Sequence, residues 1–281
     1  MADMDLPLPL APAVALRAPP VQTAPIVFAS PHSGRDYSAA FIAAARLDPQ
    51  TLRRSEDCFV EELFAAAPSH GAPLLAATFP RAWCDANREQ WELDPAMFAD
   101  RLPQWVNTAS ARVGAGLGTI ARIVASGETI YRDKLRFAEA EARVRTCWLP
   151  YHEALRELIT ATRDRFGACL LIDCHSMPAT APGRAGGVDV VLGDAHGTAC
   201  TPQTVRLVQD ALEGMGYRVQ RNDPYAGGYI TRHYGRPRDG VEALQLELSR
   251  NLYMDERRLE RLPRFTEVQR DMTALIATLT R

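Results

Sequence analysis

Short apolar runs alternate with longer stretches of helical spacing along most of the chain, and this rhythm limits the possible folds more than any other feature. The runs cover 25–30, 74–78, 168–172, 188–192, 217–220 and 242–248. They are too short for buried helices, and most are stopped by Gly, Pro or a polar cluster, which is the signature of strands buried in a sheet. Between them lie segments with apolar residues three or four apart: 55–67, 136–166, 202–213 and the stretch from Asp255 onward. In the first of these Phe59, Val60, Leu63 and Phe64 share one side. Ser55 is its expected N-cap, with Glu56 and Asp57 in the first turn, where the helix dipole favours anions. Pro150 is expected to break or kink the second. Strands alternating with helices predict an α/β fold, a largely parallel sheet with helices on both faces. Residues 79–107 read as a long excursion, and the Gly- and Pro-rich stretch 223–240 as a loop or lid. With no internal repeat or linker, one domain is expected over 21–281, after a Pro-rich arm over 1–20.

Composition removes whole classes of function. The 32 basic and 34 acidic residues give a net charge of −2, against the basic balance of a phosphate-tracking nucleic-acid binder. No apolar run approaches the roughly 18 residues that span a bilayer. The N-terminal segment lacks the basic start and unbroken apolar core of a secretory signal, so a cytoplasmic protein is expected. Cys58, Cys84, Cys147, Cys169, Cys174 and Cys200 form no C-x-x-C pair and read as free thiols in a reducing compartment. Lys134 is the one lysine among the 32 basic residues. Most of the arginines follow from compositional bias, and the question is which of them grip an anion.

In open α/β sheets ligands bind beyond the carboxyl ends of the strands. Pro31-His32-Ser33-Gly34, Asp173-Cys174-His175-Ser176 and Gly193-Asp194 stand at such ends, and Glu56-Asp57 opens the segment after the first run. Two histidines and a carboxylate from separate elements make a catalytic zinc site with one position left for water. His32 and His175 are the candidate histidines, and within Glu56-Asp57 either carboxylate fits. If the strand runs on through 173–175, Asp173 and His175 point to the same face and Asp173 can orient the imidazole. Otherwise Asp173 caps a turn. In Leu244-Gln245-Leu246-Glu247-Leu248 the leucines share one face while Gln245 and Glu247 share the other. An acid in such a strand is costly unless paired or functional, so Glu247 is a candidate general base. An edge strand with one solvated face is the alternative. Arg232, beside His233 in the glycine-rich 227–235 stretch, is a candidate anion clamp, and Asn87-Arg88 a second. His70, His152 and His196 are assigned to structure.

Taken in order, these segments resemble the N-formylglutamate amidohydrolase (N-formylglutamate deformylase) family. The resemblance is carried by Pro31-His32-Ser33-Gly34, Ser55-Glu56-Asp57, Asp85-Ala86-Asn87-Arg88, Asp173-Cys174-His175-Ser176, Asp189-Val190-Val191-Leu192-Gly193-Asp194, the stretch 222–235 and the stretch 245–254. It implies a single-domain three-layer sandwich with a mixed, mainly parallel sheet, similar in fold to zinc carboxypeptidases. It also implies a Zn²⁺ site, or one for another divalent metal, at His32, Asp57 and His175. Glu247 would be the catalytic base. Asn87 and Arg88 would hold a substrate carboxylate, and Arg232 and His233 would belong to the substrate loop. The implied reaction is hydrolysis of N-formyl-L-glutamate to formate and L-glutamate, as in histidine degradation. The best-known histidine-degradation members carry an Asp-Thr-Asp-Trp-like stretch where this chain reads Ser55-Glu56-Asp57-Cys58. The alternatives are a carboxypeptidase-like enzyme, a deacylase for another N-acyl amino acid, and a metal-free anion-binding protein. The expected partner is a small-molecule N-acyl amino acid, with no nucleic acid and no membrane; oligomeric state is not readable.

Overall fold

The computed structural model of the protein describes residues 12–179 and 187–281. Its main sheet has seven strands: β1 Val14–Arg17, β2 Ile26–Ser30, β3 Leu74–Ala77, β4 Cys169–Met177, β5 Val190–Gly193, β6 Val219–Arg221 and β7 Val241–Ser249. They lie in the order β1-β3-β2-β4-β7-β5-β6. β3, β2, β4 and β7 run parallel, while β5 runs antiparallel to β7 and parallel to β6. The sheet is mixed and mainly parallel, as expected. All six apolar runs become strands. β1 is the addition: it falls inside the stretch expected to be an arm, and residues 1–11 of that arm lie outside the described residues. Three of its four residues are exposed at the sheet's edge, and its short apolar run Ala13-Val14-Ala15-Leu16 lies among the prolines that suggested an arm.

The chain divides into two compact units. One gathers Gly34–Glu56, Ala77–Glu153 and the described residues before 16, and the other gathers Leu16–Ser33, Asp57–Ala76 and Ala154–Arg281. A single domain was expected over 21–281. The chain changes unit at five points, one of them within the short cluster Ser30-Pro31-His32-Ser33-Gly34.

The second unit shows how strand alternation places the site. Ile26, Phe28, Ile172, Cys174, Leu244, Leu246, Leu248, Val190 and Leu192 form one apolar face. Helix Pro202–Gly214 packs Val205, Val208 and Leu212 in the same core, and helix Phe265–Leu279 adds Val268, Met272, Leu275 and Ile276. Their period of three and four makes each an amphipathic cover for that face. Since successive strand residues point oppositely, Asp173, His175, Gln245 and Glu247 must emerge together on the other face. The register aligns Asp173 with Gln245 and His175 with Glu247. β7 sits between β4 and β5, so Glu247 is on a central strand and the edge-strand alternative is set aside.

Four local expectations are corrected. The helix expected over 55–67 shrinks to Val60–Leu63, and Phe59 before it has φ +66°. Ser55 caps nothing there; its hydroxyl accepts from the Ala125 amide. Asp57 is held instead by its own amide on the His32 carbonyl, so the chain reaches the site before it turns helical. In the segment around Pro150, a π-helical stretch Val144–Trp148 separates helix Phe137–Arg143 from helix Leu149–Phe166. The wider turn accommodates a residue with no N–H and a bulky ring without ending the helix. The expected loop 223–240 contains helix Tyr229–Tyr234. The C-terminal helix starts at Phe265, because Asp255 accepts from the amides of Arg257 and Arg258 and closes a small hairpin of Met254–Asp255 with Glu260–Arg261.

Candidate metal centre

The centre lies wholly in the second unit. His32 stands in the loop just past β2, His175 on the last third of β4, and Asp57 in the extended approach to helix Val60–Leu63. All three are buried. Their candidate ligand atoms lie within 4.8 Å of one another. Asp57 Oδ2 is 3.5 Å from His32 Nδ1 and 3.0 Å from His175 Nδ1. Ligand bonds of about 2 Å put the donors of a tetrahedral zinc site roughly 3.3 Å apart, and these two spacings bracket that value. The donor set, two imidazoles and one carboxylate, suits a divalent transition metal.

The electrostatics point the same way. β4 does continue through 173–175, and Asp173 Oδ1 lies 3.0 Å from His175 Nε2. That carboxylate fixes the ring and leaves Nδ1 turned toward Asp57. Burial disfavours charge on His175, yet Asp173, Asp57 and Glu247 together raise its pKa well above the ordinary imidazole value. Asp57 is likewise buried, but hydrogen bonds from His175 and His32 hold its carboxyl well below the usual range. Three acids thus act on His175, a setting that favours a bound cation.

Glu56, the other carboxylate considered as a ligand, belongs to a different arrangement. Arg53 donates to both of its oxygens, from Nε at 3.0 Å and Nη2 at 3.1 Å, and the Tyr37 hydroxyl donates at 3.3 Å. Gly193-Asp194 also stays out of the centre. β5 runs antiparallel to β7, so its carboxyl end leads away from Glu247, and Asp194 accepts instead from Asn222 and the Gly197 amide. Gly193 is required where it stands: a Cβ there would come within 2.7 Å of the Gly227 amide nitrogen. That close passage brings Gly228 to the sheet, where its amide donates to Gln245 Oε1 at 2.7 Å. Gln245 Nε2 in turn donates to Glu247 Oε1 at 2.7 Å, which fixes the carboxylate on the same face as His175.

Arg232 and His233 sit on helix Tyr229–Tyr234. Arg232 is exposed, with Nε donating to the Gly227 carbonyl. His233 stacks on Tyr229, and burial, then the nearby Arg236, lowers its pKa. Asn87 and Arg88 belong to the first unit, where both are buried. Arg88 donates from Nε to the Leu117 carbonyl at 2.8 Å and from Nη1 to the Asn87 carbonyl at 2.7 Å. Asp85 accepts from the Asn87 amide and from Arg81, and lies 3.7 Å from Arg88 Nη2. Burial lowers the Arg88 pKa to about 10.

Sequence reasoning passed over several of the residues that hold these groups. Arg250 and Ser176 contact Asp57, and the motif 245–254 contains Arg250 without marking it among so many arginines. In the first unit His152 Nε2 lies 2.8 Å from the Ala86 carbonyl, and Trp148 donates to the Arg88 carbonyl. The structural assignment of His152 therefore holds, in the form of a brace for the Asn87-Arg88 segment.

A model of the N-formylglutamate amidohydrolase family matches residues 24–254, a span that includes every residue of the centre. The chain belongs to that family. An N-formylglutamate deformylase of Pseudomonas putida is 31% identical over 241 residues, covering 83% of this chain and 82% of the relative. The crystal structure of an N-formylglutamate amidohydrolase from Ralstonia eutropha JMP134 superposes with a TM-score of 0.90 at 38% identity, covering 96% of this chain and 98% of that one. A gene product from Agrobacterium tumefaciens shares the fold at a TM-score of 0.57 and 19% identity, with 96% of this chain and 97% of that chain covered.

Proposed function

We propose that the protein is a metal-dependent amidohydrolase that cleaves N-formyl-L-glutamate to formate and L-glutamate. The observation that carries this reading is the convergence of His32 Nδ1, Asp57 Oδ2 and His175 Nδ1 beside Glu247, in a chain of this family. His32, Asp57 and His175 would hold the cation, Zn²⁺ or another divalent metal. When bound, it would polarise the formyl carbonyl and make water acidic enough to attack near neutral pH. Glu247, steadied by Gln245, takes the proton of the attacking water. It then delivers a proton to the amide nitrogen as the C–N bond breaks, so that glutamate leaves as an amine rather than an amide anion. Water supplies the second oxygen of formate.

The substrate has two carboxylates. Arg88, anchored by two backbone carbonyls rather than by a tight ion pair, keeps its charge available for one of them, with Asn87 beside it. Arg232 and His233, on the helix that follows Gly228, are assigned to substrate contact as well. The six free, buried cysteines fit a reducing cytoplasm. No described helix is long and apolar enough to cross a membrane. The pathway assigned is histidine degradation.

The test is formate release. N-formyl-L-glutamate should be hydrolysed in preference to N-formyl-aspartate, N-acetyl-glutamate and short peptides. Dialysis against a chelator should abolish the activity, and Zn²⁺ should restore it. Full activity in metal-free protein, or preference for acetylated substrate or peptides, would overturn the reading. Arg88→Lys is expected to raise KM for N-formyl-L-glutamate roughly 10- to 100-fold, because a buried, charge-assisted fork is lost. An unchanged KM removes Arg88 from carboxylate binding.

A further inference from the structure

Asp57 does not meet the two histidines unassisted. Its two oxygens face different company. Oδ2 faces His32 Nδ1 and His175 Nδ1, whereas Oδ1 accepts from Arg250 Nη2 at 3.0 Å and from the Ser176 hydroxyl at 3.3 Å. Arg250 Nε also donates to the Ser176 hydroxyl at 3.1 Å, so guanidinium, hydroxyl and carboxylate close into a ring. Arg250 begins the turn after β7, and Ser176 follows His175 on β4. The ring therefore ties β4 and the turn after β7 to Asp57, a ligand that comes from irregular chain. Arg250 is 6% exposed, and its Nη1 lies 4.0 Å from Glu256. A guanidinium is rarely buried this way unless its fork is used.

We propose that Arg250, with Ser176, is a positioning residue for metal binding. It engages Oδ1 and so presents Asp57 to the cation through Oδ2 alone. The carboxylate would then occupy one coordination position, and with His32 and His175 in two more, the fourth would stay open to water or substrate. This rests on the metal-dependent reading above and adds to it the means by which the carboxylate's orientation is fixed.

The test uses the full-length protein loaded with Co²⁺, whose visible absorption reports coordination number and geometry. Competition against a chromophoric chelator reports affinity for Zn²⁺. Arg250→Gln is expected to change the Co²⁺ spectrum and to weaken Zn²⁺ binding 10- to 100-fold, the usual range for loss of a partner behind a ligand. Arg250→Lys should recover part of both, since an ammonium keeps the charge but cannot span Asp57 and Ser176 together. Ser176→Ala keeps Arg250 and loses the bridging hydroxyl. It should give a smaller change of the same kind, and it serves if Arg250→Gln does not fold. Thermal unfolding of the metal-free variants separates a local effect from general destabilisation. A Co²⁺ spectrum identical to wild type and Zn²⁺ affinity within twofold, in folded Arg250→Gln or, failing that, in Ser176→Ala, overturns the role of Arg250. Wild-type protein that takes up neither Co²⁺ nor Zn²⁺ overturns the metal reading itself, a distinct result.

Discussion

Replacing Glu247 with glutamine is expected to cut kcat for formyl-amide hydrolysis by roughly 10²–10⁴ while leaving the bound metal in place, the usual range for losing a positioned acid–base group. The two halves of this expectation come from different parts of the structure. Glu247 sits beside His175 in the β4–β7 register but is not among the three converging donors. Losing its charge therefore removes no ligand. Glutamine has nearly the same shape, and its carbonyl can still accept from Gln245, so the face should repack without a cavity. What disappears is the ability to take a proton from water and return it to the amine. Steady-state kinetics and metal stoichiometry measured on the same preparation decide the matter. An unchanged kcat takes Glu247 out of the mechanism; loss of metal makes it a ligand or a support for one.

Glu247 also shows how far the sequence could be read. Its alternation with three leucines gave the face, and Asp173 and His175 gave the facing pair, because a strand's period of two fixes side without any knowledge of partners. The elements legible in this way were those whose apolar pattern is decided by one core. Asp57 was harder. Helical spacing at Phe59, Val60, Leu63 and Phe64 suggested that Glu56 and Asp57 opened a helix, but the demands of the centre override local propensity there. The Asp57 amide goes to His32 and its carboxylate to Arg250, Ser176 and the histidines, and the helix begins three residues later. Choosing between Glu56 and Asp57 needed the family likeness, because both are buried acids and only tertiary partners tell them apart. Arg250 was illegible for the opposite reason: nothing local distinguishes it in a chain whose basic residues are nearly all arginine.

That difference between neighbouring acids gives the other large effect. Asp57→Asn should destabilise the metal-free protein by about 3–5 kcal/mol, the cost typical of removing one partner from a buried ion pair. Asp57 is 1% exposed and Arg250 6%, so solvent screens little of the loss. The amide cannot repair it. Asparagine has one acceptor and one donor group, while the carboxylate's oxygens face Arg250 and Ser176 on one side and the imidazoles on the other. With its NH₂ toward Arg250 and Ser176 the amide confronts donors; turned the other way, it meets the imidazoles and still leaves Arg250 without a carboxylate. Glu256, at 4.0 Å and partly exposed, compensates the stranded guanidinium only weakly. Urea unfolding of chelator-treated wild type and variant measures the difference, and a loss below about 1 kcal/mol would show that the pair is not the buried, interlocked one described here. Glu56→Gln is the internal comparison. Its partner Arg53 has a side chain 31% exposed, so the stranded charge can be hydrated and the loss should be smaller. Metal uptake should separate the two acids completely: the Asp57 variant loses it, and the Glu56 variant keeps it.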